Sequence, residues 1–520
     1  MYNIINGIMR CGNKGEQIMK KRLFAALLAA ASLSSFAACG GSAEASPSGG
    51  QEGQTQAQDT AQEIAETETG REDTPDNLPA DLDFGGETVT IHARGDTDCV
   101  KELQAPEQTG DLIDDALYTR RQKVEERLNV VIDVYAANTW ENYNASMNDL
   151  RKSVQAGDDI YDFVSGWSAR IPILGIEGIF LNLYEVPYID LDQPWWVQTL
   201  RKDLTIGGKL FFATGDITLT LLSASCVFYF NKKLMTDYGV PDIYQTVTDG
   251  KWTIDAMSDY AKMVSADLDG DNKLGDLDLY GCAITATNDV DGFLQGSDVK
   301  MIYRGDDDLP VLRMEEQKVG TIVEKIYTFM YETPQVLSYT AEGGDYTAKQ
   351  QAAFKESRAL LYPARLAGAS STLKDMDTDY GIIPYPKYDE NQEKYLTRVQ
   401  DALALMCVPI TCGNKERSGA VMEALAAEAY RVVTAPYFEI AMKVKYSRDD
   451  ISSQMLDLVH DGVNLNFASI YNESIGNPWF VMRELMGAKK SDFASWYAKN
   501  QPKIEKALAK CVESFLAAEG

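Results

Sequence analysis

Residues 87–94 read ETVTIHAR, 111–128 read DLIDDALYTRRQKVEERL and 130–137 read VVIDVYAA. The first and third are short apolar runs that read as strands, and the second reads as a helix. ENYNASMNDLRKSVQAG (141–157) continues as a helix and YDFVSGW (161–167) as a strand running into a loop. A β–α–β–α–β rhythm predicts a parallel sheet covered by helices, the α/β class. In such sheets ligands bind beyond the carboxyl ends of the strands. Arg94, the segment after Tyr135, and Trp167 therefore fall at one edge.

Working outward, KLFFATGDI (209–217) and CVFYFNKKLM (226–235) read as further strands ahead of a second helical region. SRALLYPARL (357–366), YGIIPYP (380–386) and TRVQDALALMCVP (397–409) read as strands that return to the first sheet, before helices dominate to the end. The chain of 520 residues is long enough for two cores, and a chain that leaves a lobe and comes back builds two lobes with several crossings.

The formal charge is -29, and without residues 1–38, which carry five basic groups and one acid, it is -33. Nucleic acid is excluded as a partner, because phosphate binding needs a basic footprint. Only His92 and His460 occur, and GxSxG, HExxH and GxxxxGK[ST] are absent, which weighs against Ser-His-Asp and zinc hydrolases.

Lys20, Lys21 and Arg22 precede the apolar run LFAALLAAASLSSFAA, the pattern of a secretory signal with Met19 as its initiator. Its tail, Phe36-Ala37-Ala38-Cys39-Gly40, resembles a bacterial lipobox, which implies lipidation of Cys39 and membrane anchoring through acyl chains. From Gly40 to Ala80 the chain is rich in Gly, Ser, Gln, Thr and acids and has no aromatic residue, so it reads as a disordered acidic tether. Beyond Cys11 and Cys39, the irregularly spaced Cys99, Cys226, Cys282, Cys407, Cys412 and Cys511 are expected as buried free thiols, a Cys407–Cys412 bridge being the alternative.

The densest run of oxygen ligands is DLDGDNKLGDLD, residues 267–278. Taken as a calcium loop, it supplies Asp267, Asp269 and Asp271 at positions 1, 3 and 5, the Lys273 carbonyl at 7 and Asp278 at 12. Asn272 replaces the usual glycine at position 6, which its tolerance of left-handed backbone allows. A helix capped by Thr253, with Trp252 stapled onto Met257, precedes the loop, and the strand LYGCAITA follows it. With neither a second helix nor a second loop, the site reads as a structural Ca2+ clip in the second lobe.

The succession YDFVSGW, GGKLFFATGDIT, FYFNKKLMTDYGV, GKWTIDAM, DLDGDNKLGDLDLYG resembles the extracellular solute-binding proteins, family 1, of ABC importers, in particular the longer carbohydrate-binding lipoproteins of Gram-positive bacteria. The resemblance covers residues 85–520. It implies a two-lobed, periplasmic-binding-protein-like fold of type II, a Venus flytrap whose hinge strands let the lobes close on a ligand. The organisation expected is a signal peptide (1–39), tether (40–80), lobe 1 (81–228), lobe 2 (229–356), a lobe 1 return with hinge (357–410), and lobe 2 with C-terminal helices (411–520).

Sugar pockets need flat aromatic surface and a few polar groups that fix hydroxyls. Trp167, at a strand's carboxyl end, is the leading candidate. Trp195 and Trp196 follow Pro194 in a loop-like stretch, one to face the cleft and one to pack, and Trp479 in YNESIGNPWF could close from lobe 2. Trp252 and Trp496 read as structural. Among polar groups, Asp216, Arg94, Arg365 and Asp401 sit at strand ends or crossings. The leading function is a non-catalytic, lipid-anchored binding protein, a monomer, that hands an oligosaccharide or other small solute to an ABC permease. The alternatives are a calcium-dependent secreted glycoside hydrolase, whose paired carboxylates a chain with 78 acids supplies without specificity, and a binding protein that feeds a sensor.

Overall fold

The computed structural model describes residues 71–434, 436–437 and 450–518. Met19, Cys39 and the tether up to residue 70 lie outside them. The described residues belong to a compact unit that begins at Ile64.

In chain order the main strands are β1 (Glu87–Ala93), β2 (Val130–Ala136), β3 (Phe163–Trp167), β4 (Cys226–Asn231), β5 (Leu279–Thr285), β6 (Val336–Tyr339), β7 (Ala359–Arg365), β8 (Tyr380–Ile383) and β9 (Ala404–Cys407). They form two sheets. The first runs β9–β3–β1–β2, with β1 parallel to β2 and β3, and β9 antiparallel to β3. The second runs β8–β4–β7–β5, with β6 and the two-residue strand Ser265–Ala266 also on β5.

The first three strands follow the sequence reading. Between β1 and β2, helix α1 (Leu112–Leu128) opens on Asp111, whose side chain accepts from Ile113 N at 3.0 Å. It closes on Asn129 at φ 50°, a left-handed cap that turns the chain straight into β2. Helix α2 (Tyr143–Ala156) makes the second crossover. At Gly166 a Cβ would lie 2.4 Å from the Ile171 side chain, so any larger residue there would have to push Ile171 aside.

Three expectations are corrected. The stretch 209–217 is not a strand: Leu210 O accepts from Leu183, Ala213 exchanges bonds with Met406, and Thr214 O accepts from Val197, so its backbone is divided among three neighbours and no ladder forms. Of the run 226–235 only the first six residues are strand, because Asn231 accepts from Leu234 N at 3.0 Å and caps a helix from Lys232. β7 and β8 do not return to the first sheet. Both flank β4 in the second, and only β9 goes back.

The lobe boundaries shift accordingly. Helix α4 (Lys415–Val432) packs along α1 in lobe 1, not in lobe 2, with Ala429 and Val433 against Leu117. In lobe 2, helix α3 (Asn288–Gly296) packs against the short helix α5 (Val481–Gly487). The long C-terminal helix α6 (Phe493–Ala517) serves both lobes: its start packs on the lobe 2 helix Glu316–Tyr327, and its end sets Phe515 4.7 Å from Phe211 of lobe 1. All six cysteines among the described residues are free and buried, so Cys407 and Cys412 are not bridged. No described helix is long and apolar enough to cross a membrane.

Candidate functional site

The two sheets meet along residues 397–404. Thr397 N bonds Gly462 O at 2.7 Å, Cys226 N bonds Arg398 O at 2.8 Å, Gln400 N bonds Ala224 O at 2.9 Å and Ser168 N bonds Leu403 O at 2.9 Å. Ala404 then pairs with Trp167. This ribbon, which turns at Asp401–Ala402, thus holds the carboxyl end of β3 at one end and the start of β4 at the other. A backbone segment shared in this way between the two sheets has the layout of a hinge.

On the lobe 1 side, Trp167 is 5% exposed and lies under the Arg94 guanidinium at 5.8 Å. Arg94 is itself buried, donating to Cys99 Sγ from Nε at 3.1 Å and to the Ala402 carbonyl of the ribbon. Beyond Trp167 stands Trp140, edge-on at 5.9 Å and 43% exposed. Arg170 lies 5.1 Å from the Trp140 ring and 4.0 Å from that of Tyr143, and pairs with Glu473 from the C-terminal segment. Cation–π contact of this kind fixes the aromatic edge while leaving part of the Trp140 indole exposed.

On the lobe 2 side, Asp291 of α3 is fully buried, with Arg398 of the ribbon at 3.3 Å and Arg483 Nε of α5 at 2.6 Å. Asp401 completes the group, 3.0 Å from Arg398 and 3.4 Å from Arg483. Burial pushes the Asp291 carboxyl up, against the two guanidiniums that hold it down. Asp401 and Arg483 are partly exposed and offer charged hydrogen-bonding atoms at the ribbon.

Of the residues singled out from sequence, Arg94, Trp167 and Asp401 gather here. Arg365 ends β7 two positions across from Arg398, and its side chain is exposed. The others lie elsewhere. Trp195 and Trp196 both pack: their indole Nε1 atoms donate to the two oxygens of buried Glu423, at 3.0 and 2.9 Å, and both line one recess with Asp216. Trp479 is 1% exposed in the core, held through its backbone amide by Asn472. Asp216 accepts from Thr434 Oγ1 at 2.5 Å in a recess with Trp195, Tyr430 and His460, and burial raises its carboxyl.

Trp140, Tyr143, Arg170, Glu473, Arg398 and Arg483 were not foreseen. For Trp140 a signal existed, because it follows β2 by four residues and strand carboxyl ends are where ligands bind. Arg483 and Glu473 are brought in by helices distant in sequence and carry no local mark.

In the acidic loop, the carboxylates of Asp267, Asp269 and Asp271 converge, with one oxygen from each within 4.8 Å of the others. Asp267 accepts from Gly270 N at 2.6 Å and Asn272 N at 2.7 Å, and Asp271 from Lys273 N at 2.8 Å, which curls the loop around the trio. Asn272 has φ 63°, the left-handed turn that position needs. Asp278 is 1% exposed and accepts from Leu268 N and Gly275 N at 2.7 and 2.6 Å, which hold its carboxyl below the usual range. Three carboxylate oxygens converging on one turn fit a hard cation such as Ca2+. The loop is tied to lobe 2 by Lys349 on Asp276 at 2.9 Å and by Arg358 on the Asp276 carbonyl at 2.6 Å.

Two α/β lobes joined by a ribbon, with strand ends gathered along it, define the two-lobed periplasmic-binding-protein-like class. Among solved structures of that class, the chain is similar to a sugar transporter from Rhizobium etli in an open conformation, at 15% identity and TM-score 0.53 over 83% of this chain and 99% of that one. It is also similar to a cyclo/maltodextrin-binding protein complexed with maltotetraose, at 13% identity and TM-score 0.51 over 83% and 96%. A third is an ABC transporter solute-binding protein from Thermotoga lettingae bound with α-D-tagatose, at 14% identity and TM-score 0.50 over 81% and 100%. The chain therefore has the fold of the ABC solute-binding proteins. No family model and no curated protein sequence matches it.

Proposed function

We propose that this chain is the lipid-anchored, extracellular substrate-binding protein of an ABC importer, which captures an oligosaccharide by lobe closure and delivers it to a membrane permease without chemical change. The observation that carries the reading is the exposed indole of Trp140 beside the hinge ribbon of a solute-binding-protein fold. Aromatic surface stacks on the apolar face of a sugar ring, and the partly exposed Asp401, Arg483 and Glu473 supply directional bonds to hydroxyls. Anchoring follows from the Cys39 lipobox and the acidic tether.

We further propose a structural Ca2+ held by the converging Asp267, Asp269 and Asp271, with the Lys273 carbonyl, while Asp278 closes the loop from outside this trio by accepting from Leu268 N and Gly275 N. When bound, the ion would neutralise the converging carboxylates and fix the turn ahead of β5. It would take no part in ligand binding.

The test is a thermal-shift and calorimetric screen of the purified chain against neutral and acidic oligosaccharides, with every hit checked for product. A rise in melting temperature with the sugar intact supports a carrier, because a ligand selective for the native state stabilises it by mass action. Turnover of the sugar would replace the carrier with a glycoside hydrolase.

A further inference from the structure

Arg365 is the last residue of β7, and its Cα is paired with Cys226, the first residue of β4. The Cys226 amide in turn bonds the Arg398 carbonyl at 2.8 Å. Arg365, Cys226 and Arg398 therefore stand in one row across β7, β4 and the ribbon. Directly paired residues of antiparallel strands project to the same face. Arg365 thus shares the face on which Arg398 Nη1 lies 3.6 Å from Cys226 Sγ.

Its backbone is fixed. Tyr229 Oη donates to the carbonyls of Arg365 and Leu366, both at 2.9 Å, and Leu366 N bonds Ser225 O at 2.8 Å. Its charge is not matched by any described residue. Arg398 and Arg483 are taken up by Asp291 and Asp401, and Arg170 by Glu473, but no carboxylate among the described residues lies within ion-pair distance of Arg365. Among the described residues of a chain with 78 acids and 49 basic residues, this cation at the hinge end of lobe 2 has no carboxylate partner.

We propose that Arg365 is a carboxylate-binding residue of the cleft, and that the captured oligosaccharide is acidic, built of uronate units. The inference rests on the oligosaccharide-binding reading above and narrows it. A guanidinium presents paired N–H donors that match a carboxylate, a geometry neither a hydroxyl nor an ammonium reproduces. Lobe closure on a neutral sugar would desolvate this guanidinium without a charged partner, whereas a uronate would supply one. The aromatic edge at Trp140 and the cation at Arg365 then divide the work between ring face and carboxylate.

The experiment is calorimetry on the full chain with trimers and tetramers of galacturonate, glucuronate, mannuronate and guluronate, each beside its methyl ester, and with neutral gluco-, galacto- and manno-oligosaccharides. At least one free acid is expected to bind about 10-fold or more tightly than its ester, an advantage that added salt reduces. Arg365→Gln should bring acid and ester to equal affinity, and Arg365→Lys should keep part of the difference, with melting temperatures of both variants near that of the parent. Equal binding of acid and ester, or tighter binding of a neutral oligosaccharide with no effect of Arg365→Gln, would overturn the inference and leave the oligosaccharide reading standing. Binding of no saccharide in either set would overturn both.

Discussion

The exposed indole of Trp140 stands edge-on to the buried indole of Trp167, with ring centroids 5.9 Å apart and planes at 73°. The two residues of one aromatic pair thus have different environments, and substitution should separate them. Trp140→Ala is expected to weaken oligosaccharide binding by about 2 kcal/mol, roughly 30-fold, as truncation of an interface anchor does. Its melting temperature should stay close to that of the parent, because the side chain is 43% exposed. Calorimetry on any ligand from the screen checks this, and unchanged affinity would remove Trp140 from the site. Trp167→Ala should instead cost about 3 kcal/mol or more in denaturant unfolding, the cost of emptying a core position.

That pair also marks how far the sequence could be read. β1, β2, β3, α1 and α2 were legible because hydrophobic period and caps are local properties. The partner of a strand is not local: ALLYPAR is buried along most of its length, and nothing in those residues distinguishes a place beside β4 from a return to the first sheet. Tryptophan on its own was a poor guide. Trp195 and Trp196 read as a loop pair, yet a buried carboxylate 227 positions beyond Trp196 organises both. In the acidic loop the convergence of Asp267, Asp269 and Asp271 and the left-handed Asn272 were legible, because they are local, whereas Asp278, read as a ligand, accepts from Leu268 N and Gly275 N outside that trio.

Asp291 holds the lobe 2 end of the site together, touching Arg398 of the ribbon and Arg483 of α5 from a fully buried position. Removing one member of a buried charge group leaves the others uncompensated. Asp291→Ala should therefore cost about 3–5 kcal/mol in urea unfolding. Asp401→Ala leaves Asp291 in place and removes a half-exposed partner, so its cost should be smaller, about 1 kcal/mol. Equal costs at the two positions would mean that the cluster is not organised around Asp291.

The converging carboxylates of Asp267, Asp269 and Asp271 repel one another unless a cation joins them. Chelation with EGTA is expected to lower the melting temperature, and Ca2+ in excess to restore it by mass action. Asp269→Asn should abolish the Ca2+ response while the apo protein melts no lower than the apo parent, since one repelling charge is gone. A parent insensitive to both EGTA and Ca2+ would show that the loop is closed by its own hydrogen bonds alone.

Glu423 links stability to pH. It is 1% exposed and accepts from both indoles and from the Asp190 amide, yet burial pushes its carboxyl up to about 7, because no cation accompanies the three neutral donors. A carboxyl whose folded value lies above its unfolded value favours the fold when protonated. Its contribution is full below pH 4.5 and is lost as the pH rises towards 7. Over that window the loss should be on the order of 2–3 kcal/mol. Asp289, raised to about 6 by burial, adds a smaller term of the same sign. Urea unfolding of the parent between pH 4.5 and 7.5 should therefore show stability falling with pH. In Glu423→Gln, which cannot ionise but turns an amide N–H2 towards one indole N–H, stability should be lower at pH 4.5 and the fall with pH shallower. Parallel pH profiles for the parent and the variant would show that Glu423 stays charged in the fold, held by its three N–H donors.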